Sequence, residues 1–320
     1  MDKELLKAAG IAAGDCLKLQ EDESFLVVTD TELREIGDAL ARAGRSIGAT
    51  TVLMEIDPLS RNGEEPPLTV SEAMKKSDVV IIPMSKSLTH TAARRNACDA
   101  GARVATMPGI TRDTMIRCLN ADYYAIAERT EKLTEMLTEA ESAHITAPGG
   151  TDITIPIDGI EAIASTGLIH KKGSFGNLPS GEAYLMPEEN KSSGVFVVDG
   201  SMAGIGDLAG KTPITIRVED GMATEITGGD EADLLREKLS AVGPRAFNTA
   251  ELGIGTNDAA KIIGTILEDE KVMGTIHIAL GNNMSMGGTV NVPIHLDGIV
   301  RDPDVELDGK KIMEKGKLLI

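Results

Sequence analysis

The sequence predicts two domains: an α/β domain with a mainly parallel sheet over residues 1–142, and an α+β domain over residues 143–320. Through the first of these ranges, short apolar runs alternate with segments of helical periodicity, which is the pattern of a parallel sheet covered by helices. Through the second, short alternating strands separated by glycine turns predominate, which is typical of antiparallel sheet. A chain of 320 residues is also longer than one hydrophobic core usually accommodates.

The N-terminal domain is predicted to contain four strands with helices between them. The first strand, SFLVVTD, precedes a helix over 31–48, for which Thr29 is a candidate N-cap with Glu32 at capping-box spacing. A second helix ends at Gly101, and a long helix over 111–140 ends the domain. The other three strands are ATTVLMEID, SDVVIIPMS and ARVATMPG.

The C-terminal domain is predicted to add helices to its antiparallel strands. Helical periodicity predicts one helix over 230–242 and another over 257–274. The segment DVELDGKKIM predicts a terminal hairpin with Asp-Gly at its turn. Together with SGVFVVDGSM and TPITIRVEDGMATEITGG, these segments indicate an α+β domain rich in antiparallel sheet.

Composition and charge narrow the classes of partner. The formal net charge of −18 argues against nucleic acid and anionic membranes. Three separated cysteines, Cys16, Cys98 and Cys118, form no CxxC pair, which argues for a reducing compartment. The start MDKELLKAAGIAAGD lacks a signal-peptide core, and the run VVIIPM is too short to span a bilayer. We therefore expect a cytoplasmic protein.

The stretch NVPIHLDGIV, residues 291–300, predicts a strand that presents an imidazole and a carboxylate together. His295 and Asp297 are two residues apart and project from one face, whereas Ile294 and Leu296 project from the other. Such a pair, backed by aliphatic side chains, could form half of a metal site.

Three more metal donors occupy short strands or turns of the same domain: His277 in GTIHIALG, Glu251 in AELGIGTN and Glu182 in NLPSGEAYLMPEE. Imidazole and carboxylate suit zinc, manganese, cobalt or iron. His277, His295 and Asp297 alone would make the two-histidine, one-carboxylate set of non-haem iron oxygenases. All five donors could hold two metals bridged by a carboxylate, which activate water and polarise a carbonyl. The two glutamates favour the second arrangement.

Five motifs, in order TAPGGTDITI, GNLPSGEAYLMPEE, AELGIGTN, TIHIALGNN and IHLDGIV, resemble the aminopeptidase T family over most of the chain. The resemblance implies a homodimeric hydrolase that removes N-terminal apolar residues from peptides. It implies two ions of zinc, cobalt or manganese per protomer, with a bridging water as nucleophile. The implied ligands are Glu182, Glu251, His277, His295 and Asp297; Glu251 would bridge the metals, and either Glu182 or Glu251 would act as general base.

One position departs from that family. Seven residues after the histidine of its HxALG motif the aminopeptidases have a tyrosine, and this chain has Met284, whose thioether donates no hydrogen bond. The resemblance extends to dihydroxypyridine dioxygenases, which share the fold and hold one iron(II); here that triad would be His277, His295 and Asp297. Such an enzyme would act on a hydroxylated aromatic or heteroaromatic ring. A non-catalytic relative is a third alternative, but the two retained glutamates favour the hydrolase.

Overall fold

A computed structural model of the protein describes residues 2–320. One compact unit contains the chain up to Ala127 together with Thr166–Ser180, and the other contains Glu128–Ser165 and Gly181–Ile320. The domain limits predicted from the sequence, at 142 and 143, stay a prediction. Within the described residues, no helix combines the length and the apolar character needed to cross a membrane.

The secondary structure comprises helices, mostly in the first unit, and many short strands in the second. The α-helices are α1 (Lys3–Ile11), α2 (Arg34–Ile47), α3 (Leu68–Lys75), α4 (Ala92–Asp99), α5 (Arg112–Leu119), α6 (Tyr123–Glu139), α7 (Asp230–Val242) and α8 (Ile266–Asp269). The strands are β1 (Ser24–Asp30), β2 (Thr50–Ile56), β3 (Val79–Met84), β4 (Arg103–Pro108), β5 (Ser142–Thr146), β6 (Asp152–Pro156), β7 (Ile163–Ser165), β8 (Phe175–Asn177), β9 (Glu182–Leu185), β10 (Ser193–Val198), β11 (Ser201–Met202), β12 (Gly206–Asp207), β13 (Ile214–Glu219), β14 (Met222–Thr227), β15 (Thr249–Gly255), β16 (Thr275–Gly281), β17 (His295–Arg301), β18 (Asp304–Leu307), β19 (Lys310–Glu314) and β20 (Lys317–Leu318).

The first unit is built on a five-stranded parallel sheet in the order β2-β1-β3-β4-β8. Strands β1 and β3 are almost wholly buried, as expected for continuous apolar runs covered on both faces. Leu26, Val28, Val80 and Ile82 from these two strands share one hydrophobic cluster with helices α3 and α4. The predicted α/β fold with a parallel sheet is confirmed.

Two helix predictions in this part of the chain need correction. Thr29 is buried within β1 and does not cap α2; Asp30 Oδ1 instead accepts from the Glu32 and Leu33 amides at 3.2 and 3.1 Å. The long helix predicted over 111–140 is two helices, α5 and α6. Asp122 separates them, because its Oδ1 accepts from the backbone amides of the following helix at 3.0 and 3.1 Å.

The second unit contains two antiparallel sheets together with α7, α8 and most of α6. One sheet has eight strands in the order β14-β13-β10-β6-β5-β18-β19-β20, and the other has seven in the order β12-β11-β17-β16-β15-β9-β7. Apolar side chains from both sheets, including Phe196 and Ile216 of the first and Ile278 and Leu280 of the second, form one core. The predicted α+β class and the terminal hairpin are confirmed.

The helix predicted over 257–274 is wrong, because only the single turn α8 forms there. Two buried carboxylates hold the rest of the segment in a loop. Glu268 Oε1 accepts from the Lys261 amide at 3.0 Å, and Asp269 Oδ1 accepts from the Ile263 amide at 2.8 Å. Carboxylates that satisfy loop amides in this way replace the hydrogen bonds of a helix.

Candidate metal centre

One face of the seven-stranded sheet carries all five donors predicted from the sequence. Glu251 lies on β15 and His277 on β16, where Ala279 pairs with both Glu251 and Asp297 of β17. Glu182 of β9 pairs with the C-terminal end of β15, and His295 begins β17. The residues that alternate with the donors along these strands point to the opposite face, into the core: Ala183, Leu185, Leu252, Ile254, Ile276, Ile278, Leu280, Leu296 and Val300.

Two glycines make room for the cluster on this face. Gly253 pairs directly with His277, and a Cβ atom on it would lie 2.0 Å from His277 Nε2. A Cβ atom on Gly255 would lie 2.1 Å from the carbonyl oxygen of Val272. The alternation of Glu251 with these glycines therefore leaves space for an imidazole and for the segment around residue 272. Glycine within a strand is the sequence signal for such a close approach.

Glu251 lies between the two histidines. Its Oε1 is 3.2 Å from His277 Nε2, and its Oε2 is 3.3 Å from His295 Nε2. His295 Nε2 is also 3.2 Å from Asp297 Oδ1, while Glu182 Oε2 is 3.7 Å from His277 Nε2. The five predicted residues thus form one continuous set of contacts. His277 is fully buried, whereas the His295 side chain is 32% exposed and forms the open side of the cluster.

Three of these residues fit a single metal ion. Donor atoms of Glu251, His295 and Asp297 all lie within 4.8 Å of one another. Ligands bound about 2.1 Å from one ion lie roughly 3.0–3.4 Å apart, and the contacts of His295 Nε2, at 3.2 and 3.3 Å, fall in that range. The Nδ1 atom of His295 donates to the carbonyl oxygen of Asn282 at 2.7 Å. In the neutral ring, Nε2 then presents its lone pair to the carboxylates.

Two buried polar atoms beside this group have no hydrogen-bond partner among residues 2–320: Glu182 Oε2 and His277 Nδ1. Buried polar atoms are nearly always paired, so the unsatisfied Glu182 Oε2, which faces His277 Nε2, indicates an incomplete donor set; His277 Nδ1 is the ring nitrogen on the side away from Glu251. A donor set of two imidazoles and several carboxylates that is partly unsatisfied is the chemistry that a transition-metal cation would complete.

The carboxylates of the cluster favour the protonated, positively charged forms of the two histidines. Burial opposes the charged form of His277, but its hydrogen bond to Glu251 and the charge of Glu182 raise its pKa to about 9. Burial is likewise outweighed at Asp297, where the charge of His295 lowers the pKa to about 2. A metal ion binding here has to displace protons from the histidines.

A lysine that the sequence analysis did not single out completes the cluster. Lys271 is 1% exposed; its Nζ donates to Glu182 Oε1 at 2.7 Å and also to Glu270. Burial opposes its charge, but the two carboxylates raise the pKa of Lys271 above its usual range. No local pattern marks this residue, because it follows Glu270 in a segment of helical periodicity. Glu182 is therefore paired with an ammonium group.

Met284, at the position of the aminopeptidase tyrosine, lies in a short 3₁₀ turn, Met284–Met286, after β16. Its side chain is exposed (48%), and its amide donates to Asn282 Oδ1 at 2.9 Å. The side chain offers no hydrogen-bond donor to a reacting oxyanion.

The sequence profile of the NicX family, 2,5-dihydroxypyridine 5,6-dioxygenase, matches residues 14–320. The chain belongs to this family. The 2,5-dihydroxypyridine 5,6-dioxygenase of Pseudomonas putida KT2440 is 25% identical over 270 residues, which cover 79% of this chain and 74% of that protein. The NicX match spans both compact units and includes every donor described above.

Two solved structures share the fold of this NicX-family chain. The 2,5-dihydroxypyridine dioxygenase from Pseudomonas putida KT2440 superposes with a TM-score of 0.84 at 21% identity, covering 98% of this chain and 96% of that one. Wild-type AmpT from Thermus thermophilus superposes with a TM-score of 0.73 at 17% identity, covering 99% of each chain. The expected likeness to aminopeptidase T is thus one of fold.

The family match corrects the functional prediction. The expectation of an aminopeptidase, and with it of a hydrolase and protease, is wrong, because the chain belongs to a dioxygenase family. The dioxygenase alternative agrees better with this family match than the hydrolase does. Glu182 and Glu251, the two glutamates that favoured the hydrolase, are both present at the site, and Glu182 is paired with Lys271.

Proposed function

We propose that this protein is an iron(II)-dependent dioxygenase that opens a dihydroxylated pyridine-type ring. The observation that carries the proposal is the convergence of His295 Nε2 with Glu251 and Asp297, with His277 on the other oxygen of Glu251. His277, His295 and Asp297 offer the two histidines and one carboxylate of non-haem iron oxygenases, and Glu251 lies between the two imidazoles. The name of the curated relative, 2,5-dihydroxypyridine 5,6-dioxygenase, supplies the substrate class.

The ligands proposed for the iron are His277, His295, Asp297 and Glu251. Iron(II) bound there supplies the activation of dioxygen. One ion replaces the zinc, cobalt or manganese pair expected from the aminopeptidase resemblance. Neither Glu182 nor Glu251 is needed as a general base for peptide hydrolysis, so Glu251 is left to act as a ligand.

The surrounding residues orient the ligands and control access. The Asn282 carbonyl fixes the His295 ring so that Nε2 points into the cluster. The apolar core behind β15, β16 and β17 excludes water from the back of the site. The partly exposed edge of His295 leaves one open side, where a ring and dioxygen can enter.

The test is dioxygen consumption by the iron(II)-loaded protein with 2,5-dihydroxypyridine, measured with an oxygen electrode. We expect uptake that requires both iron and the ring, and that His295→Gln abolishes. His144→Gln is the matched control, because His144 also pairs with an aspartate, Asp152, but lies on a different sheet and is exposed. Uptake that His295→Gln leaves intact would contradict the proposed ligand set.

We also propose that the protein is a homodimer, as the sequence resemblance implies. Light scattering coupled to size-exclusion chromatography measures the mass directly. We expect twice the chain mass of 33.7 kDa, and a mass equal to one chain would refute the dimer.

A further inference from the structure

The ammonium group of Lys271 is buried beside the proposed metal ligands. Its Nζ lies 2.7 Å from Glu182 Oε1 and also bonds Glu270, while the other oxygen of Glu182 lies 3.7 Å from His277 Nε2. A two-metal site needs carboxylate ligands for its second ion, a few ångströms from the first. Glu182 and Glu270 are the carboxylates available for that purpose, and both already contact the lysine.

The backbone holds Lys271 in this place. Its carbonyl oxygen accepts from the Asn257 amide at 2.9 Å, and its amide donates to the Glu268 carbonyl at 3.0 Å. Gly255 lets this segment pack directly on β15, because a Cβ atom there would lie 2.8 Å from the carbonyl carbon of Lys271. The ammonium is therefore anchored by its own backbone as well as by its two carboxylates.

The charges favour a single metal ion. Four carboxylates, those of Glu182, Glu251, Glu270 and Asp297, surround the buried part of the site, and none is more than 15% exposed in its side chain. Lys271 and one divalent ion together supply three positive charges. A second divalent ion would have to displace an ammonium that two buried carboxylates neutralise, or share ligands with it.

We propose that Lys271 takes the place of a second metal ion and so restricts this centre to one. The inference rests on the proposed iron site, whose stoichiometry it explains. It assigns Glu182 and Glu270 to the lysine and leaves Glu251, His277, His295 and Asp297 to the metal. Lys271 is thus a residue that determines metal number.

The test counts bound metal in the full chain. Protein stripped with a chelator is dialysed against Mn²⁺ as an oxygen-stable probe, and its metal content is measured by elemental mass spectrometry. We expect one equivalent in the unaltered protein and a second in Lys271→Ala, which frees the two carboxylates. Lys271→Arg keeps the charge and should bind one.

The matched control is Lys311→Ala. Lys311 also bonds two carboxylates, Asp304 and Glu314, each at 3.1 Å, but it lies on β19 in the other sheet. This variant should bind one equivalent. The double variant Glu182→Gln/Lys271→Ala should lose the second equivalent again, because the freed ligand has been removed.

The outcomes separate this inference from the proposed function. One equivalent in both the unaltered protein and folded Lys271→Ala would overturn the role of Lys271 and leave the metal site standing. Two equivalents in the unaltered protein would also overturn it. No metal in the unaltered protein would refute the iron site itself. If Lys271→Ala does not fold, Lys271→Gln, which keeps side-chain length without the charge, gives the same comparison, and the count in the unaltered protein still tests the inference.

Discussion

Gly253 lies directly opposite His277 on neighbouring antiparallel strands, and a methyl group on Gly253 would lie 2.0 Å from His277 Nε2. The imidazole occupies the space that a side chain on β15 would fill. Both ring carbons next to Nε2 are also within 3 Å of that methyl position. The position of His277 next to Glu251 therefore depends on the absence of a side chain at residue 253.

We accordingly predict that Gly253→Ala displaces His277 and weakens iron(II) binding about 10–100-fold, the cost typical of disturbing a metal-ligand environment. Anaerobic titration of the metal-free protein measures the affinity. Gly10→Ala is the control, since nothing lies within 4 Å of its Cβ position in α1. Unchanged affinity in Gly253→Ala would show that His277 does not contribute to the site.

The two buried glutamates should respond differently to the same substitution. Glu251 and Glu182 are 8% and 7% exposed, so burial does not distinguish them. Glu251 contacts both histidines, whereas Glu182 is bonded to Lys271. We expect Glu251→Gln to lower iron(II) affinity about 10–100-fold and Glu182→Gln to change it much less. Calorimetric titration compares them, and equal losses would argue that both glutamates are ligands.

Metal binding should stabilise the fold. The ligands come from β15, β16 and β17 of one sheet, and a cation bound only by the folded chain adds about 2.7 kcal/mol at a concentration of 100 times its Kd. Thermal unfolding under anaerobic conditions should therefore shift upward with iron(II) and return to its starting point with a chelator. His295→Gln should show no shift. A metal-induced shift of the same size in His295→Gln would place the ion elsewhere.

Glu189 should hold the loop between β16 and β17 in a pH-dependent way. Its Oε1 accepts from Asn283 Nδ2 at 2.9 Å and from the Thr289 amide at 2.6 Å, and its Oε2 accepts from Thr289 Oγ1 at 2.7 Å. The hydrogen bond from the Thr289 amide, first among these contacts, lowers the pKa of Glu189 below its ordinary value of 4.5. A lowered pKa in the folded state contributes stability above the ordinary value, and that stability is lost as pH falls through the folded pKa.

Glu189→Gln should consequently lower the free energy of unfolding at neutral pH by about 1–2 kcal/mol, with the deficit disappearing in acid. Glu188→Gln is the matched control, since Glu188 lies beside it and pairs with Lys191 on the surface. Denaturant unfolding at several pH values measures both. A deficit in Glu189→Gln that persists in acid would contradict the linkage.

Strand periodicity was enough to place the donors on one face. His295 and Asp297, two residues apart on β17, point away from Leu296, as the alternation predicts. The helix predicted from periodicity at 257–274 is wrong because the side chains of Glu268 and Asp269 accept hydrogen bonds from loop amides several residues earlier. No local sequence pattern reveals these hydrogen bonds.

The choice of chemistry could not be made from the donor residues. Glu182, Glu251 and the two histidines fit both a hydrolase and an oxygenase of the same fold. What separates them here is the match of residues 14–320 to the NicX family. Lys271 is brought to Glu182 across 89 positions of sequence by a loop packed over Gly255, which no local pattern reveals. Glycine at alternate positions of AELGIGTN is typical of a close approach to a strand, but this pattern does not identify the approaching residue as a lysine.

We propose that this centre adds dioxygen to its ring substrate. The most direct measurement is mass spectrometry of the product formed from 2,5-dihydroxypyridine by the iron(II)-loaded protein, under dioxygen labelled with the heavy oxygen isotope. We expect both atoms of one labelled dioxygen molecule to enter the ring-opened product. Product whose new oxygen comes only from water, or product formed equally well without dioxygen, would contradict it.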